Sequence, residues 1–416
     1  RWGNFWSIGA GWRIDREKFM KSVSWVDFLK FRASYGLNGN DGGISYYAWQ
    51  VLYSYYNNGP EPGFIQSTKP GNPDLTWETT IQADLGLEFS IFNNRVRGTI
   101  DWFNKESRDL IFSLPLAPST GYVNQDRNVG SLYNRGFEID LNFKLYESKY
   151  ITAGLNANAT LIKNKITRLP EQNRIDGIVD GNFKRMEGGS VYDYWLRQWY
   201  GVDPTNGDAL YLFDDRKDAN GNYIITWADA DCKIINDVRV TNNQNKAKYD
   251  WAGTALPEVY GSITPFFNIY GFDVSIQFNY SLGGKSYDAA WAGLMSTGGM
   301  GVAKASEIMD RWTTPGQITN VPRMDNAKTT AFNAASSRWL VKSDYLALRN
   351  ISVGYNFKPT FLKMMKIKGL KVFATAENLA LFSARKGLNP MQNFDGTVNN
   401  SLGFNRTVTL GLNLNF

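Results

Sequence analysis

Polar and apolar residues alternate along much of this chain, most clearly between Trp77 and Ile91. One face of that stretch carries Trp77, Thr79, Ile81, Ala83, Leu85, Leu87, Phe89 and Ile91. The other carries Glu78, Thr80, Gln82, Asp84, Gly86, Glu88 and Ser90. Successive side chains of a strand point to opposite faces, so the pattern predicts a long strand with one greasy side. Strands of soluble domains average about 5–6 residues, and this one is far longer. Asn93–Asn94 then reads as a hairpin turn into Val96, Ile100 and Trp102.

The pattern recurs. Phe137, Ile139, Leu141, Phe143 and Leu145 alternate with Glu138, Asp140, Asn142 and Lys144. Ile151, Ala153, Leu155, Ala157, Ala159 and Leu161 follow. Further on come Phe272, Val274, Ile276, Phe278 and Tyr280, then Ile351, Val353, Tyr355 and Phe357. The chain closes on Val408, Leu410, Leu412, Leu414 and Phe416, set against Thr407, Thr409, Gly411, Asn413 and Asn415. Short connections are expected near 15–26, 93–94, 146–149, 203–208, 270–271 and 358–369. Long ones are expected near 39–76, 113–132, 163–190, 214–256, 287–344 and 381–404. Short turns at one end and long loops at the other predict an all-β fold: a transmembrane antiparallel β-barrel, apolar side to lipid, with about 13 strands in this chain. That count is odd and the first segment starts at the long-loop end. Both features predict additional strands from elsewhere. A terminal aromatic in such a strand resembles an outer-membrane insertion signal, here Leu410, Leu412, Leu414 and Phe416.

Composition narrows the chemistry. Among 416 residues there are 14 Trp, 22 Tyr, 25 Phe and 39 Gly, which suits β structure. The net charge of +6 comes without a Lys/Arg run, so nucleic acid is not an expected partner. Cys232 is the single cysteine and there is no histidine. Internal disulfides, Ser-His-Asp and Cys-His nucleophile pairs and His-ligated zinc are thereby excluded. No enzyme activity, cofactor or metal is expected.

Six stretches, in order along essentially the whole chain, carry a family resemblance. They are "GWRIDREKFMKSVSWVDFLKFRASYGLNGND", "NPDLTWETT", "GSLYNRGFEIDL", "EGGSVYDYWLRQWYGVDPTNGDALY", "RWTTPGQITNVPR" and "YLALRNISVGYNF". Together they resemble the C-terminal half of SusC/RagA-type TonB-dependent transporters, outer-membrane nutrient importers of Bacteroidetes. The resemblance implies that residues 1–416 are the C-terminal portion of a barrel of about 22 strands, with the plug, the TonB box and about nine strands outside this chain. It implies active import of an oligosaccharide or oligopeptide. It also implies a SusD-like surface lipoprotein as lid, TonB and outer-membrane lipid as further partners, extracellular long loops and a periplasmic C-terminus. Two other readings stay open on the residues: a structural or adhesive barrel, and a barrel enzyme, which the missing histidine opposes.

Candidate contact residues are aromatic. Tyr46, Tyr47, Trp49, Tyr53, Tyr55 and Tyr56 crowd one long loop, and Trp291 sits in another. They could stack on cargo, or they could pack against the loop or a lid protein. Asp214, Asp215, Asp218 and Asn220 hint at calcium. With Gly221 as sixth position, however, an EF-type loop would have Arg216 first and Trp227 twelfth, so a turn at Asn220–Gly221 is preferred. "GGMG" at 298–301 lacks the Lys-Ser/Thr of a phosphate loop. Glu78, Asp84, Glu88, Glu138 and Asp140 are expected to face Lys30, Arg32, Arg95 and Arg97 on a wet wall, or the plug where it is present, rather than to form a catalytic pair.

Overall fold

The computed structural model describes residues 3–42, 44–66, 69–299, 301–357, 362, 367–400 and 403–415. Eleven described strands form one antiparallel sheet in which chain neighbours are sheet neighbours. They are β1 (Trp6–Arg13), β2 (Val26–Asn40), β3 (Glu78–Ile91), β4 (Val96–Arg108), β5 (Ser131–Glu147), β6 (Ile151–Arg168), β7 (Val259–Ile269), β8 (Phe272–Leu282), β9 (Tyr345–Asn356), β10 (Gly369–Ser383) and β11 (Thr407–Asn415).

The register carries the two-faced pattern across the sheet. Ile8 lies opposite Tyr35, which lies opposite Ala83. Leu85 faces Trp102, Trp102 faces Phe137, and Phe137 faces Leu161. The stripe continues through Val274, Val353, Ala374 and Leu410. Among the described residues nothing covers it: Ile8 is 67% exposed, Leu85 43% and Leu410 80%. On the opposite face, Glu88 accepts a contact from Lys30 Nζ at 3.3 Å, and Arg32 Nη2 reaches Asp101 at 2.7 Å. Asp84 accepts hydrogen bonds from Ser34 and Gln82. These carboxylates are held by cations and amides of the same wall.

The barrel expected for residues 1–416 requires correction. Among the described residues the sheet is open: β1 is bonded only to β2, and β11 only to β10. It also has eleven strands, not about thirteen. The two surplus strands are those implied on either side of the turn expected at 203–208, between the loops expected at 163–190 and 214–256. These residues pair elsewhere, with Leu196 opposite Asp250, Val202 opposite Ala209, and Tyr211 opposite Thr241. The physical reason lies in their burial. Ala209, Leu210 and Tyr211 are all fully buried in succession, so this stretch is covered on both sides, whereas a two-faced strand alternates.

With those two strands removed, the loops expected at 163–190 and 214–256 become one excursion, 169–258. It lies at the same sheet edge as the connections 41–77, 109–130, 283–344 and 384–406. The opposite edge has short turns at 92–95, 148–150 and 270–271. Tyr270 and Gly271 both take positive φ (51° and 97°), as a two-residue hairpin turn of this hand needs. The turn expected at 358–369 lies mostly outside the described residues.

The core sits in the long connections, not on the sheet. Excursions 169–258, 283–344 and 384–406 fold together as a cap, with helices α1 (Ala289–Leu294) and α2 (Thr329–Phe332). Tyr194, Leu196, Tyr287, Met295 and Trp339 are buried in one cluster, and Tyr211 and Phe332 in a second. Asp288 is wholly buried and pairs with Arg385, which ties two excursions together.

Candidate functional site

The aromatic loop predicted from sequence folds back on itself. Tyr53–Asn58 and Glu61–Gln66 form a hairpin in which Tyr56 lies opposite Gly63. Tyr55 meets Phe64 edge-on at 5.5 Å between ring centres. Tyr46, Tyr47, Tyr53 and Tyr55 are exposed, Tyr46 by 90%. Tyr46 and Trp49 help line a hollow of about 280 Å³ with Asp41, Ile44, Leu75 and Trp77. Trp291 is not part of this group. It packs in the cap core, edge-on to Trp339 at 5.4 Å, with the Arg385 guanidinium 5.1 Å from its ring. Leu410 and Leu412 are exposed on the apolar face and Leu414 borders on exposure; Phe416 lies outside the described residues.

A larger crevice, absent from the sequence reading, lies where the cap meets the polar face of the sheet. Its volume is about 560 Å³. The floor comes from Asn134, Asn164, Tyr260, Asn279 and Tyr345, and the cap side from Tyr192, Ser286, Asn393 and Phe394. Tyr192 meets Phe394 edge-on at 5.3 Å. Asn164 Nδ2 donates to Asn134 at 2.8 Å, while its Oδ1 accepts from Val191 N at 2.9 Å. The cap side is set by Gly396, at φ +75°, where an added Cβ would stand 2.6 Å from the Tyr194 hydroxyl. That hydroxyl donates to Gly396 O at 3.2 Å, and burial pushes its pKa up. Only glycine gives both the left-handed φ and this close approach.

Two polar atoms of the crevice lack partners among the described residues. Ser286 Oγ and Asn279 Oδ1 are buried with no hydrogen bond, and Ser286 is 1% exposed. Buried polar atoms are seldom left so, because each forfeits its hydration. A ligand that donates hydrogen bonds would satisfy both. Aromatic faces with amide and hydroxyl groups suit a polar, ring-bearing or amide-bearing molecule.

The segment 203–208 is a buried electrostatic hub of the cap. Asp203, 1% exposed, is ion-paired to Lys233, and Asp208 is paired to Arg323 at 3.0 Å and Lys328 at 3.3 Å. Burial alone would raise the Asp203 pKa, but hydrogen bonds from Lys233 and Thr205 outweigh it and hold the carboxyl below its usual range. A depressed folded-state pKa adds stability above the unfolded value, and that stability is lost as pH falls through the folded value. Lys233→Met should therefore destabilise the cap by about 1–2 kcal/mol at neutral pH, since it leaves the buried Asp203 carboxylate with only its Thr205 hydrogen bonds, while the exposure of Lys233 tempers the loss. Thermal melts at pH 7 and pH 3 check this: the gap to the parent protein should shrink in acid, and a gap independent of pH would contradict it.

At the suspected calcium stretch, Asp218 Oδ1 accepts from the backbone of Asn220 and Asn222, both at 2.9 Å. That is a turn closed by its own side chain. Among the described residues no group of three or more His, Cys, Asp or Glu could hold a metal. Cys232 is buried, and burial pushes its thiol pKa up.

Comparison with known proteins follows the same outline. Residues 1–178 match the family described as "TonB dependent receptor-like, beta-barrel". The chain is 30% identical to TonB-dependent receptor P26 of Formosa agariphila over 99% of its own length and 42% of that protein. It is 29% identical to P39 of the same organism over 94% of this chain and 40% of P39. It is 26% identical to the TonB-dependent receptor SusC of Bacteroides thetaiotaomicron over 100% of this chain and 40% of SusC. The chain thus spans about two-fifths of the length of these relatives. Among solved structures, the RagAB peptide transporter superposes with a TM-score of 0.80 at 24% identity, over 99% of this chain and 43% of that one. That likeness shows that sheet and cap are the fold of part of the transporter chain.

Proposed function

This chain is homologous to the SusC- and RagA-type TonB-dependent receptors, and we propose that it is the C-terminal portion of one that imports a nutrient across the outer membrane. The observation carrying this reading is homology that runs through essentially the whole chain, to four receptors of one type. An oligosaccharide or oligopeptide fits the crevice, and the solved relative named as a peptide transporter supports the second. The apolar face of the sheet lies against lipid, the cap edge faces outward and the C-terminus faces the periplasm. A SusD-like lipoprotein covers the cap edge. TonB supplies energy through parts of the receptor outside these residues. The exposed stripe through Leu85 and Leu410 favours lipid contact, because soluble surfaces rarely leave such a stripe bare.

Cells carrying the intact receptor test this reading. Uptake of the cargo should require both the gene and TonB, and uptake that persists without either would overturn it. The exposed aromatic loop provides a finer test. Deleting 46–56 removes Tyr46 and Trp49 from the wall of a surface hollow, and with them Tyr47, Tyr53, Tyr55 and Tyr56. The variant should accumulate normally in the outer membrane, yet bind the lid protein or take up cargo poorly. Normal uptake by that variant would retire the loop as a contact surface.

A further inference from the structure

Several cations on the polar face are neutralised where they stand, though Arg97 and Lys105 have no ion pair among the described residues. Lys30 and Arg32 meet Glu88 and Asp101, and Lys371 meets Asp273 at 2.9 Å. Beneath the cap this changes. A second hollow of about 570 Å³ adjoins the crevice and shares Arg349, Met391 and Phe404 with it. Its lining includes Arg349, Arg385, Lys386 and Arg406 and no Asp or Glu. Arg385 is neutralised by Asp288. Among the described residues no carboxylate lies within ion-pair distance of Arg349, Lys386 or Arg406.

Arg349 is built in rather than merely exposed. It falls at the register shift between Leu348 and Asn350, so the strand bulges at this residue. Asn378 accepts a hydrogen bond from its Nη1, and its guanidinium stands 4.9 Å from the centre of the Phe404 ring. Asn378 is itself held at φ 55°. The arginine is therefore oriented before any ligand arrives, which lowers the cost of binding one. Three uncompensated cations focus a positive field into one recess. Planar guanidinium groups match the two oxygens of a carboxylate.

We propose that this recess is an anion subsite, in which Arg349, Arg406 and Lys386 hold a carboxylate of an acidic oligomeric cargo. The rest of that cargo lies in the adjoining crevice, where it donates hydrogen bonds to Ser286 Oγ and Asn279 Oδ1. This rests on the import reading only in taking the crevice as the cargo's place. The carboxylate could come from an acidic peptide or from a uronate-bearing glycan, and the probes separate the two.

Calorimetric binding to the intact receptor tests it, with triglutamate, triglutamine, trigalacturonate and galactotriose as probes. One acidic probe should bind about tenfold or more tightly than its neutral counterpart, as charge-assisted pairing predicts. The double variant Arg349→Gln, Arg406→Gln should abolish that preference, bringing the acidic probe down to the affinity of its neutral counterpart on the same variant. Lys386→Gln and Arg406→Gln, both at exposed positions, keep the test open if altering Arg349 upsets the bulge; each should cut the preference severalfold. Preference for triglutamate identifies a peptide source and preference for trigalacturonate a glycan source. If neither acidic probe outbinds its neutral partner, or if folded variants keep the preference, the subsite is overturned. The readout is binding, so a receptor that binds the acid but does not import it would sink only the import reading.

Discussion

Trp339→Ala should unfold the cap while leaving the sheet in place. Trp339 is fully buried, and Tyr194, Leu196, Tyr287 and Met295 belong to the same cluster. Its Nε1 donates to Ala334 O at 3.1 Å, and the Arg338 guanidinium stands 4.3 Å from its ring. Removing a buried Trp side chain costs about 3–5 kcal/mol through lost contacts and the cavity left behind. The orphaned Ala334 carbonyl adds to that penalty. Among the described residues this cluster and the smaller one around Tyr211 and Phe332 are the apolar clusters that hold the three excursions together. The sheet draws its order from long paired ladders that Trp339 does not touch. Limited proteolysis should open new sites within 169–258 and 283–344 while 78–168 stays protected. Protection of both regions, or loss of both together, would contradict a cap with its own core.

The sheet was legible in the sequence and the cap was not, for a physical reason. A strand with one bare apolar face writes its orientation into every second residue, as 77–91 and 407–416 do. Buried cap strands such as Ala209–Leu212 carry no such alternation, and their partners are distant: Tyr194 and Gly396 meet across 202 positions. The same gap hid the crevice. Ser286, Asn279 and Gly396 acquire meaning only once the excursions close over the sheet. The run from Tyr192 to Tyr211, dense in aromatics but not alternating, was the available signal that this stretch leaves the sheet. The tyrosine-rich loop stands out in the sequence because aromatic crowding among Asn, Ser and Gly does not depend on distant partners, and the structure leaves Tyr46, Tyr47, Tyr53 and Tyr55 exposed. Trp291 had no such local context, and the structure sets it in the cap core.

If lipid lies on one face of the sheet and water and cargo on the other, adjacent residues of one strand should respond oppositely to the same charge. Leu85 and Asp84 provide that comparison. Leu85 belongs to the exposed apolar stripe, opposite Ala33 and Trp102. Asp84 belongs to the polar wall, within reach of Ser34 and Gln82. An arginine placed in lipid near the mid-bilayer costs roughly 2–4 kcal/mol, and one on a wet wall far less. The backbone is the same for both, so strand propensity and register cancel in the comparison. The deciding measurement is the amount of folded receptor in outer membranes of cells making Leu85→Arg or Asp84→Arg at equal expression. Leu85→Arg should be strongly depleted while Asp84→Arg stays near the parent level. Equal depletion of the two, or the reverse order, would contradict the assignment of the faces.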